Sequence, residues 1–161
     1  MFTTGEVIDL AIQIEKNGEK VYREAGQKVS DPSVASMLQW LADEEKEHVE
    51  WFSQLKETIK ESSIDPEVEE AARAILGSVL GEQSFSLAEA DLSKMDQLKD
   101  LLKLTIEFEK DTALFYEMIT SFIDREETLN NLKKIVEEEK RHVQVLQDFL
   151  GEEEAANSFP P

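Results

Sequence analysis

Apolar residues recur along this chain at alternating steps of three and four, the spacing that places them on one face of an α-helix, and strand-type alternation is missing. The pattern predicts four long helices, at about 4–29, 32–61, 95–123 and 126–150. A shorter amphipathic helix is predicted to begin at Asp65-Pro66. The stretch 81–93, rich in serine and small residues, is predicted to be a loop.

Capping residues set the predicted helix ends. Thr3 and Glu6 have the spacing of a capping box, and Asp31 precedes Pro32 as an N-cap precedes the first helical residue. Gly151 lies where a helix-terminating glycine belongs. We therefore expect one all-α domain over residues 1–151, followed by a flexible tail at 152–161.

Each long helix carries one glutamate near the middle of its apolar face, where a polar side chain is unexpected. The second and fourth helices add a histidine three residues after that glutamate, and these are the two histidines of the chain. Positions three apart lie on one face of a helix, about one turn from each other. The six candidate site residues are Glu15, Glu45, His48, Glu109, Glu139 and His142.

The chain repeats itself at an offset of 94 residues. Adding 94 converts Glu15 to Glu109, and it converts the motif Glu45-x-x-His48 to Glu139-x-x-His142. The pattern predicts two helical hairpins, about 4–61 and 95–150, joined by a crossover of about 62–94. Within each hairpin the two glutamates are 30 residues apart, nearly equidistant from the turn, so they lie at the same level of an antiparallel pair. Two hairpins facing each other would bring four carboxylates and two imidazoles together.

Composition narrows the classes of function. The 161 residues include 36 acidic and 17 basic side chains, and the net charge of −19 should repel nucleic acid and anionic membranes. The absence of cysteine excludes disulfides, thiol nucleophiles and cysteine-ligated metals. The N-terminus has no basic region leading into an apolar one, and no apolar run approaches membrane-spanning length. We expect a soluble, cytoplasmic protein that binds neither nucleic acid nor membranes.

Electrostatics suggests what the cluster holds. Burying an unpaired carboxylate costs several kcal/mol, and four together repel one another. The apolar faces of the four long helices contain no Lys or Arg, so no basic side chain is available to neutralise them. Two divalent cations would balance the four negative charges. Oxygen and nitrogen ligands without sulfur suit iron or manganese, with zinc as a competitor.

Simpler interpretations apply to each residue alone. One Glu-x-x-His in a glutamate-rich helix is most often a solvated coincidence, and one buried histidine is usually a core residue. Two such motifs in register, with two further glutamates at matching positions, favour the metal site. Tyr22 and Tyr116, seven residues after Glu15 and Glu109, are either core aromatics or hydroxyl donors to a ligand carboxylate.

This set of motifs resembles the rubrerythrin branch of the ferritin-like diiron-carboxylate superfamily over about residues 4–150. The resemblance rests on Glu15 with Tyr22, Glu45-x-x-His48, Glu109 with Tyr116 and Glu139-x-x-His142. It implies an all-α, ferritin-like four-helix bundle with one long crossover that contains a short helix. It also implies two irons: Glu45 and Glu139 bridge them, Glu15 and Glu109 are terminal ligands, and His48 and His142 each complete one iron.

The resemblance implies a non-haem diiron oxidoreductase that reduces hydrogen peroxide or dioxygen and acts in oxidative stress. Full-length relatives add a rubredoxin-like domain, for which this chain has neither the length nor the cysteines. An external donor, such as a rubredoxin-like protein, would have to supply the electrons. The alternatives are a ferroxidase or iron-handling protein, and a helical bundle with a purely structural metal. A homodimer could also form, since each hairpin carries half a site.

Two positions depart from the family pattern. Rubrerythrins carry an additional Glu three residues after the terminal ligand of the third helix, where this chain has Thr112, and the matching position in the first hairpin is Gly18. That extra carboxylate is associated with redox-dependent iron movement, so its absence argues against efficient peroxidase turnover. The two small residues either leave room for an oxidant or relieve crowding between helices. Glu19, whose mate is Ala113, is a candidate spare ligand.

Overall fold

The structure, a computed structural model, describes residues 2–79 and 89–158. Within these described residues five α-helices form, and a short 3-10 turn, Thr120–Phe122, follows the fourth. Within the described residues the only β-type pairing is an isolated bridge between Thr3 and Ser63. The helices are α1 (Thr4–Lys28), α2 (Pro32–Thr58), α3 (Pro66–Val79), α4 (Met95–Ile119) and α5 (Glu126–Ser158).

The four long helices pack as two hairpins, α1 with α2 and α4 with α5, and α3 lies in the crossover against α4. This arrangement confirms the predicted all-α four-helix bundle with a crossover that contains a short helix. No helix of the described residues is both long and apolar enough to cross a membrane.

Local capping fixes where the first hairpin begins and turns. The Glu6 amide donates to the Thr3 hydroxyl at 3.3 Å, and the Thr3 amide donates to the Glu6 carboxylate at 2.8 Å. The Asp31 carboxylate accepts from the Ser33 amide at 2.8 Å at the start of α2. Both predicted caps are confirmed, because each depends only on residues within one turn.

The far end of α5 differs from the prediction. The helix does not end at Gly151 but continues to Ser158, so the predicted flexible tail is helical over 152–158. No described glycine has a positive φ, so Gly151 does not adopt the left-handed conformation of a terminating glycine. The residues that follow it, Glu and Ala, are good helix formers. The end of the tail, 159–161, and the loop prediction over 81–88 lie outside the described residues.

The buried side chains form two apolar clusters, one on each side of a polar layer. One cluster contains Ile8, Phe52 and Ile119, and the other contains Leu38 and Leu102. Along every long helix the buried residues of one cluster precede the glutamate at the middle of the apolar face, and those of the other cluster follow it. The apolar clusters therefore enclose the middle of the bundle on both sides and limit the entry of water.

Candidate metal centre

All six candidate residues are buried in the polar layer at the middle of the bundle, with relative exposures between 0% and 4%. The structure brings them together, as the repeat analysis predicted. They form two overlapping groups, and within each group the ligand-type atoms lie within 4.8 Å of one another. The first group is Glu15, Glu45, His48 and Glu139, and the second is Glu45, Glu109, Glu139 and His142.

Glu45 and Glu139 belong to both groups. Each group is completed by one glutamate and one histidine from a single hairpin, Glu15 with His48 or Glu109 with His142. The pair of shared glutamates comes from α2 and α5, one from each hairpin. Both halves of the site are therefore supplied by one chain in this structure.

The imidazole nitrogens face the carboxylates. Nδ1 of His48 lies 2.9 Å from Oε1 of Glu139, 3.5 Å from Oε2 of Glu15 and 3.8 Å from Oε2 of Glu45. The two imidazole rings are 6.0 Å apart between centroids, with planes inclined by 25°.

The second group has matching distances. Nδ1 of His142 lies 3.2 Å from Oε2 of Glu139, 3.3 Å from Oε1 of Glu45 and 3.7 Å from Oε2 of Glu109. Each histidine therefore presents Nδ1 to one unshared and two shared carboxylates.

The hydrogen bonding of the layer is incomplete. Among the described residues, every buried side-chain nitrogen or oxygen without a hydrogen-bond partner belongs to one of these six residues. Unpaired buried polar groups are costly, and a cluster of them indicates a missing partner. Carboxylate oxygens and imidazole nitrogens are the ligands of divalent transition metals, so the donor set fits a metal site. The atoms are Glu15 Oε2, Glu45 Oε1, His48 Nδ1, Glu109 Oε2, Glu139 Oε1 and His142 Nε2.

Protons offset part of the negative charge of the cluster in the metal-free protein. Burial lowers the pKa of His142, but Glu109 and Glu139 outweigh it and raise that pKa to about 10. Burial opposes the charged form of His48 too, and its carboxylate neighbours, Glu15 first, raise its pKa well above the usual range. Burial and the charges of Glu15 and Glu109 raise the pKa of Glu139. Without metal, the site therefore holds protons at neutral pH.

Two tyrosine hydroxyls complete the carboxylate contacts. Tyr22 donates to Oε1 of Glu109, and Tyr116 donates to Oε1 of Glu15, each at 2.5 Å. Both tyrosines are about 1% exposed or less, and burial, followed by the adjacent glutamate, raises the pKa of each phenol. Of the two interpretations of these tyrosines, hydrogen bonding to a cluster carboxylate is the one that the structure shows. The acceptor is on the opposite hairpin in both cases.

Glu44 and Glu138 are neighbours of the site that the sequence analysis missed. Oε2 of Glu138 lies 2.9 Å from Nε2 of His48, and Oε2 of Glu44 lies 3.7 Å from Nε2 of His142. Each carboxylate belongs to the hairpin opposite its histidine. The sequence did contain a signal for them: a glutamate directly precedes the ligand-type glutamate in both motifs, and Glu44 and Glu138 are themselves related by the offset of 94.

The departures from the family pattern lie beside the site. The Thr112 hydroxyl donates to the Phe108 carbonyl at 2.8 Å, which ties it to its own helix. A Cβ atom at Gly18 would lie 3.4 Å from Cγ of Glu45. Glu19 is in neither ligand group; its carboxylate lies 3.5 Å from the guanidinium of Arg23. Glu19 is therefore not positioned as a spare ligand.

Two solved structures share this fold. A provisionally assigned ferritin-like diiron-carboxylate protein from Thermotoga maritima is 21% identical, with a TM-score of 0.69 over 94% of this chain and 96% of that one. A hypothetical protein from Pyrococcus furiosus is 19% identical, with a TM-score of 0.73 over 93% of this chain and 89% of that one. No curated protein sequence matches the chain significantly. The sequence model of the rubrerythrin family matches residues 6–150. The chain therefore belongs to the rubrerythrin family.

Proposed function

We propose that this protein is a non-haem diiron oxidoreductase that reduces hydrogen peroxide or dioxygen at a carboxylate-bridged pair of irons. The observation that carries the proposal is the overlap of the two ligand groups at Glu45 and Glu139. Two separate metal sites would not need common residues. Shared glutamates between two four-residue groups are what a bridged pair of ions requires.

In this proposal Glu45 and Glu139 would be ligands of both irons. Glu15 and His48 complete one position, and Glu109 and His142 complete the other. The four carboxylates carry four negative charges, which two divalent ions balance, so the buried layer becomes neutral. Membership of the rubrerythrin family and the absence of sulfur ligands favour iron over zinc.

Two ferrous ions held there would supply two electrons, one each, to hydrogen peroxide, which takes up two protons and leaves as two water molecules. The chain itself positions the ligand carboxylates and excludes water from the site. The hydroxyls of Tyr22 and Tyr116 hold one oxygen of Glu109 and Glu15 in place. The apolar clusters on both sides shield the layer from solvent and keep the local dielectric low, which strengthens the electrostatic interactions inside.

Re-reduction requires an outside donor. The chain contains no cysteine, so it cannot itself hold a cysteine-ligated iron of the rubredoxin type. A rubredoxin-like protein, or another one-electron carrier, would return the two electrons spent in each turnover.

The test is rapid mixing of the anaerobic diferrous protein with hydrogen peroxide, followed by the near-ultraviolet absorption of ferric iron. We expect oxidation several-fold faster than that of free ferrous ion under the same conditions, at two irons per peroxide. Glu139→Gln should abolish the fast phase, because it removes one shared carboxylate. Glu137→Gln, on the same helix but 73% exposed, should leave the fast phase unchanged. Oxidation no faster than that of the free ion would refute the proposal.

A further inference from the structure

The two halves of the site differ in how their histidines are held. Nε2 of His48 and Oε2 of Glu138 are 2.9 Å apart, which is an ordinary hydrogen bond. Nε2 of His142 and Oε2 of Glu44 are 3.7 Å apart, which is too long for one, and Nε2 of His142 is among the buried atoms without a partner. Glu138 therefore forms a hydrogen bond with His48, whereas Glu44, at the matching position, forms none with His142.

The residues around the two histidines also differ. Nη2 of Arg141 lies 3.6 Å from Oε2 of Glu44, an ion-pair distance, so the carboxylate nearest Nε2 of His142 also faces a guanidinium. Arg141 also stacks over Trp40, with its guanidinium carbon 5.6 Å from the ring centroid, and Trp40 in turn packs edge-on against His142 at 5.5 Å. His142 therefore lies beside an aromatic ring, and its nearest outer carboxylate, Glu44, forms an ion pair with a guanidinium.

The repeat offset shows that this arrangement is absent from the other half. Subtracting 94 from Arg141 gives Glu47, and adding 94 to Trp40 gives Lys134. Neither Glu47 nor Lys134 provides a guanidinium or an aromatic ring, and Glu138, on which the charges of Lys134 and Arg141 also act, keeps its hydrogen bond to His48. The two halves of the site therefore differ in amino-acid sequence as well as in the distance between each histidine and its outer carboxylate.

We infer that Glu138 is the positioning residue of His48, and that it makes the Glu15–His48 metal position bind more tightly than the Glu109–His142 position. The inference rests on the proposed metal pair and specifies its filling order. A carboxylate that accepts a hydrogen bond from Nε2–H fixes the tautomer that leaves the Nδ1 lone pair free, orients the ring and makes it a better donor. Nδ1 of His48 is the atom that faces the three carboxylates of its group. Loss of such a partner typically weakens metal binding by about 10-fold to 100-fold.

The order of filling can be read at each histidine, because an untagged chain contains two imidazoles only. Metal-free protein with 15N-labelled histidine is titrated with Zn²⁺, which has no redox chemistry, and the ring nitrogens are followed by NMR. Spectra of His48→Gln and His142→Gln assign the two rings. We expect the His48 resonances to shift with the first equivalent and the His142 resonances with the second.

Three variants test the assigned role. Glu138→Ala should weaken the first Zn²⁺ affinity by about 10-fold to 100-fold and remove the filling order. Glu138→Gln keeps an oxygen that accepts a hydrogen bond, so it should retain most of the order in which the two positions fill with Zn²⁺. Comparison with Glu138→Ala separates the effect of orienting the ring from the effect of losing the negative charge. Glu44→Ala, at the matched position, should change the second affinity much less. Circular dichroism of the metal-free variants checks folding, which Ala and Gln at a partly exposed helical position should preserve.

The outcomes separate this inference from the proposed function. Parallel shifts of the two rings, or a first shift at His142, would overturn the inference while a metal pair remained. If His48 still bound Zn²⁺ before His142 in Glu138→Ala, Glu138 would not be the positioning residue and the inference would be wrong. No shift of either ring at two equivalents of Zn²⁺ would overturn the metal pair, and the inference with it.

Discussion

The hydroxyl groups of Tyr22 and Tyr116 each reach across the bundle to a glutamate of the other hairpin. A buried carboxylate without a donor is expensive, and a hydrogen bond to a charged group is roughly twice as strong as a neutral one. Each tyrosine therefore offsets part of the cost of burying its glutamate. Each also ties the two hairpins together at the level of the site.

Tyr116→Phe should lower the free energy of unfolding of the metal-free protein by about 1.5–3 kcal/mol, because Oε1 of Glu15 loses its donor. The measurement is urea denaturation near neutral pH. Tyr22→Phe, which removes the equivalent bond to Glu109, is the matched variant and should cost a similar amount. A change below about 0.5 kcal/mol in both, the range of ordinary surface substitutions, would show that the hydroxyls contribute packing only.

Gly18 is a second residue whose size matters. A Cβ atom there would lie 3.4 Å from Cγ of Glu45 and 3.4 Å from Cε1 of Phe108, at the close end of ordinary contact. Alanine therefore fits, and it would fill a methyl-sized space directly beside a shared glutamate.

Gly18→Ala should leave the protein folded and slow the oxidation of ferrous iron by peroxide, if this space admits the oxidant. Rapid-mixing absorption measures the rate, and thermal unfolding measures the stability. Gly77→Ala is the control, because a Cβ atom there meets nothing within 4 Å. An unchanged oxidation rate in Gly18→Ala would mean that the glycine only relieves crowding between helices.

At the scale of the helices, local signals predicted beginnings better than ends. The caps at Thr3 and Asp31 depend on side chains within one turn, and both form as expected. Gly151 also looked like a local signal, but a glycine acts as a left-handed C-cap only when the chain adopts a positive φ there. The chain does not, and α5 continues to Ser158.

Gly151→Ala should therefore stabilise the protein, by about 0.5–1 kcal/mol, because alanine restricts the unfolded chain and has no conformational penalty in a helix interior. A Cβ atom at this position meets nothing within 4 Å. Equilibrium denaturation of the two proteins measures the difference. Destabilisation by alanine would show that residue 151 is a left-handed cap after all.

At the scale of the whole molecule, the bundle buries a layer of charged residues between two apolar clusters. Protons or metal ions must balance the negative charge of that layer. The pKa of His142 is about 10 in the folded protein, against about 6.5 for an unperturbed histidine. The pKa of His48 is raised in the same direction. The folded, metal-free protein therefore binds more protons than the unfolded chain above about pH 6.5.

The metal-free protein should lose stability as pH rises from about 6.5 to about 10, because the protons that stabilise the folded state are removed across that range. The slope should approach about 1.4 kcal/mol per pH unit for each histidine. Denaturation at several pH values, after chelation of metal, measures it. His142→Gln should reduce the slope, and a flat profile in the parent protein would contradict the assignment of protons to the site.

Metal binding should show the opposite dependence. Zn²⁺ must displace the protons on the histidines, so its apparent affinity should rise with pH over the same range and binding near pH 7 should release on the order of two protons. Calorimetry in buffers of different ionisation enthalpy measures the release. Binding without proton release would mean that the imidazoles are neutral before metal arrives.

The sequence by itself determined the helices, the repeat and the six buried residues of the layer. Helical periodicity is a local property and the offset of 94 is an internal sequence repeat, so both can be recognised without knowing how the hairpins pack. Only the tertiary structure decided the partners. Tyr22 and Glu109 are 87 residues apart, Tyr116 and Glu15 are 101 apart, and His48 and Glu138 are 90 apart. Such pairs depend on how two hairpins face each other, because side-chain direction across a bundle is set by packing and not by spacing within one helix.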